Sequence, residues 1–297
     1  RKHRVRGGGV PAGGTAKRAG AAEGRLTMPE LLIHSMSEFS DIILSALEIA
    51  DAREIVEIGA EYGGVSALLA DHVAARGGRL TSIDPTPKPE FDDWLAARPH
   101  VRHLAKASLD AFGDVAQVDA WLIDGDHNWY TVYHELQQVN RLCRRDGKPL
   151  LAFLHDICWP SGRRDMYYAP ERIPARFRHS YSFDAGATPG AEGLIPNGGF
   201  RGMGHFAWAL HEGGPCNGVL TAIEDFMAEQ LDGGRELGFA EIPAVFGLGV
   251  LFDLDAPWSG ALAELVLPFH DNKLLRTLEQ NRLANYLRVI AHQDAGG

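Results

Sequence analysis

Cysteine is scarce. Only Cys143, Cys158 and Cys216 occur in 297 residues, and no Cys-x-x-Cys pair is among them. This excludes a disulfide framework and a cysteine-based zinc site, and a reducing cytoplasm fits best. Long hydrophobic runs are missing as well; no apolar stretch approaches the roughly 18–20 residues of a membrane span. Positive charge is in deficit, with 29 Lys and Arg against 39 Asp and Glu, a net charge of −10. An acidic chain repels phosphate backbones, so general nucleic-acid binding is excluded, and no membrane partner is expected. The basic N-terminus runs into glycines, not into the apolar core of a secretory signal. What remains is ordinary: 45% hydrophobic and 23% charged residues, enough for one large core without covalent staples.

The charge is uneven. Residues 1–27 carry seven basic residues and one acidic, Glu23, a balance of +6 that leaves −16 for the rest. With Gly7, Gly8, Gly9, Gly13, Gly14 and Pro11, that stretch cannot offset the entropy of ordering. It is expected to be a disordered basic arm or a non-native extension, with the folded domain spanning 28–297.

From Pro29 the pattern becomes periodic and predicts a helix to about Ala50. Strands follow at Glu54–Ile58, Arg79–Ile83, Val101–Ala105, Asp119–Ile123 and Leu150–Leu154, with helices at about 64–75, 91–97 and 130–143. This alternation predicts a parallel sheet covered on both faces, with right-handed crossovers. A helix at about Val219–Leu231 precedes strands at Leu237–Ile242 and Leu248–Leu254. These two are too close for a crossover helix and should be antiparallel. A helix at about Lys273–Ala291 closes the chain; its apolar face predicts core docking or a homo-oligomer contact. Residues 157–217 interrupt the rhythm with six prolines and many aromatics, the pattern of an ordered lid insertion.

Two motifs carry chemistry. The first strand enters Glu57, Ile58, Gly59, Ala60, Glu61, Tyr62, Gly63, Gly64, Val65, Ser66, a glycine turn that opens a helix. Ligands of open α/β sheets bind at this end of the strands. The dinucleotide fingerprint needs a second glycine where Ala60 stands, and Glu61 would repel a phosphate, so NAD is disfavoured. A phosphate-free, cationic ligand such as S-adenosylmethionine suits this acidic turn. A tight packing turn would use the same glycines. Asp84 ends the second strand, 25 residues beyond Gly59, where a carboxylate can accept ribose hydroxyls. Ser108 follows the third strand and is a candidate for the adenine edge.

The second motif is Asp124, Gly125, Asp126, His127 at the end of the fourth strand, with His155 and Asp156 at the end of the fifth. Neighbouring strands bring the two groups together. Asp124, Asp156 and His155 can ligate a divalent cation, and His127 can act as general base. The structural alternative is that Asp126 and His127 cap the next helix and that His155 is a core histidine.

Together the motifs resemble class I S-adenosylmethionine-dependent methyltransferases, and within them the cephalosporin-hydroxylase-like group and the sugar O-methyltransferases of macrolide and aminocoumarin biosynthesis. The resemblance covers about residues 50–160. It implies a Rossmann-like α/β fold with a seven-stranded, mostly parallel sheet in the order 3-2-1-4-5-7-6, helices on both faces and the lid after strand five. It implies donor contacts from Glu57, Gly59, Tyr62, Gly63, Ser66, Asp84, Ser108 and Asp124. It implies catalysis by His127 with Asp126, and Mg²⁺ held by Asp124, His155 and Asp156. The acceptor would be a sugar or glycosylated natural product, placing the enzyme in antibiotic or other natural-product biosynthesis. His155 stands where the group usually has an acid. A metal-dependent hydrolase or hydroxylase-like enzyme, and a non-catalytic interaction protein on this fold, remain alternatives.

Overall fold

A computed structural model describes residues 32–60, 64–86 and 89–296. The expected basic arm, and Tyr62 and Gly63 of the glycine turn, lie outside the described residues.

Five parallel strands form the body of the sheet: β1 (Glu54–Ile58), β2 (Arg79–Ile83), β3 (Val101–Leu104), β4 (Ala120–Ile123) and β5 (Leu151–His155). Strands of a short insertion follow: β6 (Met166–Tyr167), β7 (Tyr181–Ser182), β8 (Ala185–Gly186), β9 (Ile195–Pro196) and β10 (Ala207–Ala209). The main sheet closes with β11 (Leu237–Ile242) and β12 (Leu248–Asp253), an antiparallel hairpin whose β12 runs antiparallel to β5. The order is β3-β2-β1-β4-β5-β12-β11, seven strands. This is the expected sheet, with the insertion's strands set aside.

The helices are α1 (Ser40–Ile49), α2 (Gly64–Arg76), α3 (Pro89–Ala96), α4 (Ser108–Ala111), α5 (Trp129–Asp146), α6 (Val219–Asp232), α7 (Ser259–Val266) and α8 (Lys273–Gly296). Successive residues on a strand face opposite ways, so both faces of a buried parallel strand must be apolar. On one face Val56, Ile58, Trp121, Ile123 and Leu154 pack with Val132, Leu136, Ile223 and Phe226 of α5 and α6. On the other, Ile55, Leu80, Leu122 and Phe153 pack with Ile43, Leu47, Leu69, Val73 and Leu262. On α8, Leu283 and Ile290 are buried while Leu274 and Leu278 face solvent. Among the described residues no helix is long and apolar enough to cross a membrane.

The insertion between β5 and α6 has its own frame. β10 pairs with β6 and β7, and β8 with β9. Its aromatics Tyr167 and Trp208 are fully buried, and Tyr167 joins Ile173 and Ala209 in a satellite core. Asp165 fastens it to the main body: its carboxylate accepts from the backbone N–H of Trp129 and of Gly218, each at 2.7 Å, and from the Tyr167 hydroxyl at 2.7 Å.

Candidate functional site

The carboxyl ends of β1, β2, β4 and β5 meet at one mouth. β1 delivers Glu57 and Gly59. Gly59 sits at φ +89, and a Cβ there would lie 2.2 Å from the Asp124 carbonyl oxygen. Glycine is therefore required by the close approach of β1 to the end of β4. Its N–H donates to the Ile83 carbonyl at 2.9 Å. Asp84 accepts from the Ala60 N–H at 3.1 Å through one oxygen and from the Thr86 N–H at 2.8 Å through the other. It thus ties the glycine turn to the end of β2.

Glu57 and Ser66 bond each other: the Ser66 hydroxyl donates to Glu57 Oε2 at 2.6 Å, and both residues are buried. Burial pushes the Glu57 carboxyl up to about 7; the Ser66 and Ser82 hydroxyls oppose the rise, and the carboxylates of Asp124 and Asp84 add to it. Ser108 opens α4 and stands beside Glu135 of α5. Glu135 is fully buried, and burial raises its carboxyl to about 8, with the Ser108 hydroxyl opposing the rise. Sequence reasoning missed Glu135, because a Glu at that point of an amphipathic helix reads as solvated surface.

At the ends of β4 and β5 two imidazoles close on two carboxylate oxygens, one from Asp124 and one from Asp156. His127 Nε2 lies 3.3 Å from Asp124 Oδ1 and 2.8 Å from Asp156 Oδ2. His155 Nδ1 lies 3.2 Å from the same Asp124 oxygen and 3.3 Å from the same Asp156 oxygen. Asp156 holds φ at +58, which turns its side chain back over the end of β5. Asp126 stays outside this group: its Oδ2 accepts from the Thr131 hydroxyl at 3.2 Å, and burial raises its carboxyl. The cap of α5 is Asn128, whose side chain accepts from the Thr131 N–H at 2.9 Å. The helix-capping account of Asp126 and His127 is thereby displaced.

Burial alone would lower the His127 imidazole. The carboxylates of Asp156 and Asp124 outweigh it and raise the group to about 10. His155 is raised in the same way, and Asp156 is held well below the ordinary carboxylate range by the two imidazoles.

The two histidines differ at their far nitrogens. His155 Nε2 donates to the Val245 carbonyl at 2.9 Å, whereas His127 Nδ1 is buried without a hydrogen-bond partner. With Nε2 carrying its proton, His155 Nδ1 holds a second proton between the two carboxylate oxygens, which is why the carboxylates raise it. A divalent ion would displace that proton and meet three converging electron pairs. The donor set fits a divalent ion. Among the described residues, the group whose ligand atoms all lie within 4.8 Å of one another is Asp124, His127 and Asp156; His155 Nδ1 reaches the same two carboxylate oxygens from the other side. The ring of Tyr168, half exposed, stands 6.2 Å from that of His127 and the same distance from that of Phe206.

Residues 56–157 match the family model described as a methyltransferase domain. No curated protein sequence matches the chain. Among solved structures, it is similar to the SAH-bound methyltransferase PaMTH1 of Podospora anserina, at 9% identity over 73% of this chain and 78% of that one, with a TM-score of 0.44. An O-methyltransferase of Bacillus cereus in complex with SAH shares 12% identity over 74% and 81% of the two chains, with a TM-score of 0.44. The O-methyltransferase TomG of Streptomyces achromogenes, involved in tomaymycin synthesis, shares 16% over 76% and 82%, with a TM-score of 0.43.

Proposed function

We propose that the protein, whose residues 56–157 match a methyltransferase-domain model, transfers a methyl group from S-adenosylmethionine to a hydroxyl of a small acceptor, a sugar or glycosylated natural product. One observation carries this: the glycine turn, with Asp84 bonded to it, abuts the Asp/His cluster through the contact of Gly59 with Asp124. A donor seated over the turn would bring its methyl group toward the Asp/His cluster at the ends of β4 and β5.

The acceptor hydroxyl would enter from the Tyr168 side, whose ring offers a flat apolar face to a sugar ring. Its oxygen attacks the methyl carbon in line with the carbon–sulfur bond. That bond breaks, its electron pair goes to sulfur, and S-adenosylhomocysteine leaves. His127 Nε2 takes the hydroxyl proton. Holding the two reactants in line supplies much of the rate. A divalent cation at Asp124, Asp156 and His155 would orient the hydroxyl, lower its pKa and absorb the carboxylate charge that otherwise keeps His127 protonated.

The test is calorimetric titration of S-adenosylhomocysteine into the protein, with and without a divalent cation. Micromolar binding, about −8 kcal/mol at 1 μM, supports the donor site and justifies screening glycoside acceptors. Absence of binding by folded, ligand-free protein would overturn the proposal. His127→Ala should bind the donor normally and lose turnover; full activity in that variant removes it as base.

A further inference from the structure

His127 and His155 touch the same two carboxylate oxygens, yet they are anchored differently, and the anchor of His155 is built by distant parts of the chain. Its acceptor, the Val245 carbonyl, sits at the tip of the β11–β12 hairpin. There three successive residues take left-handed backbone: Val245 at φ +46, Phe246 at φ +63 and Gly247 at φ +93. A β-branched residue in that region is strained, and such strain persists only where the surroundings impose it.

The surroundings are specific. The Phe246 N–H donates to Glu279 Oε1 of α8 at 2.9 Å, and the Phe246 carbonyl accepts from the Cys158 N–H at 2.7 Å. Arg282 grips both Glu279 oxygens at 2.6 and 2.7 Å and lays its guanidinium over the Phe246 ring at 4.9 Å. Glu279 is itself buried. A metal-bound imidazole commonly donates its other N–H to a carbonyl, which fixes its tautomer and aims the free nitrogen. His155 has this arrangement. His127, with no partner on Nδ1, does not.

We propose that the strained hairpin tip, held by Glu279, fixes His155 as a nitrogen ligand beside Asp124 and Asp156, so that the site selects divalent ions that accept imidazole readily, such as Co²⁺, over Mg²⁺, while His127 stays free of the metal. The inference rests on the proposed methyl-transfer site but concerns only its metal. An all-oxygen set suits Mg²⁺; replacing one carboxylate by imidazole shifts the preference toward borderline ions. Glu279 is a positioning residue, acting through the hairpin.

The experiment uses the full chain stripped with chelator, titrated with MgCl₂ and with CoCl₂, in wild type and in His155→Asp, His127→Gln and Glu279→Gln. S-adenosylhomocysteine binding and thermal unfolding are followed in parallel. Wild type should bind Co²⁺, with visible bands of a nitrogen-containing site. His155→Asp should lower the Co²⁺-over-Mg²⁺ preference about tenfold or more, and Glu279→Gln, which reaches the ligand only through the hairpin backbone, should weaken Co²⁺ by up to about tenfold. His127→Gln should leave metal affinity unchanged. If His155→Asp does not fold, Glu279→Gln alone decides. An unchanged ion preference in His155→Asp, an unchanged Co²⁺ affinity in Glu279→Gln, loss of metal in His127→Gln instead, or no cation binding at all overturns the inference. Donor binding without metal binding rejects this inference alone, whereas His155-dependent metal binding without donor binding rejects the methyl-transfer proposal alone.

Discussion

Replacing Glu57 by Gln should stabilise the protein at alkaline pH and weaken it as a receptor for the methyl donor. Glu57 lies on β1 at 3% exposure, and burial lifts its carboxyl from 4.5 to about 7. A shift of that size corresponds to about 3 kcal/mol between the two protonation states. In the unfolded chain Glu57 ionises near 4.5, while in the folded protein it keeps its proton until about 7. Its contribution is therefore full below the lower value and is lost as pH rises through the upper one. Glu57→Gln keeps the shape and an acceptor for the Ser66 hydroxyl, with no charge to bury. At about pH 5 variant and wild type should unfold at nearly the same urea concentration, and at about pH 8 the variant should be more stable by up to about 3 kcal/mol. Above about pH 7, where the Glu57 carboxyl is ionised, the same variant should lose affinity for S-adenosylmethionine more than for S-adenosylhomocysteine, because only the former carries the sulfonium charge that a carboxylate attracts. A stability gap that does not change between the two pH values would refute the burial argument.

Asp84→Asn should reduce S-adenosylhomocysteine affinity by about tenfold or more, the loss of a hydrogen bond to a charged acceptor, and calorimetry showing unchanged affinity would remove Asp84 from the donor site. Asp165→Ala strands three donors that now share one carboxylate, the N–H groups of Trp129 and Gly218 and the Tyr167 hydroxyl. It should cost about 2–4 kcal/mol, read as a lower urea midpoint, and a midpoint equal to wild type would show that the insertion is fastened elsewhere.

The sheet was legible because buried parallel strands are short apolar runs with sharp ends. β1, β2 and β11 begin and end where the sequence pattern puts them, at Glu54–Ile58, Arg79–Ile83 and Leu237–Ile242. Gly59 and Asp84 stop the first two. The helix Ser259–Val266 was not legible: it buries only Leu262 and Val266, too few to reveal a period. The insertion's strands are two or three residues long, and the pairing of Ala207–Ala209 with both neighbours defines them, not any pattern of their own.

The members of the site were legible in the sequence. Strand adjacency alone brings Asp124 and His127 to His155 and Asp156. The same spacing offered Glu57 and Ser66 to the donor, and in the fold they hydrogen-bond each other. It offered Asp126 beside His127, and in the fold that carboxylate bonds the Thr131 hydroxyl. What separates the two histidines is a backbone carbonyl 90 residues away in sequence from His155, and a carbonyl has no residue signature. Valine is moreover among the least expected residue types at φ +46, so nothing in Pro243–Gly247 announces a strained turn. The hairpin register, set by Ile242 opposite Leu248, puts that carbonyl over His155 at the edge where β12 pairs with β5. The difference between a histidine whose far nitrogen is anchored and one whose far nitrogen is not is therefore written in the pairing of β5, β12 and β11, and becomes visible only when the chain is folded.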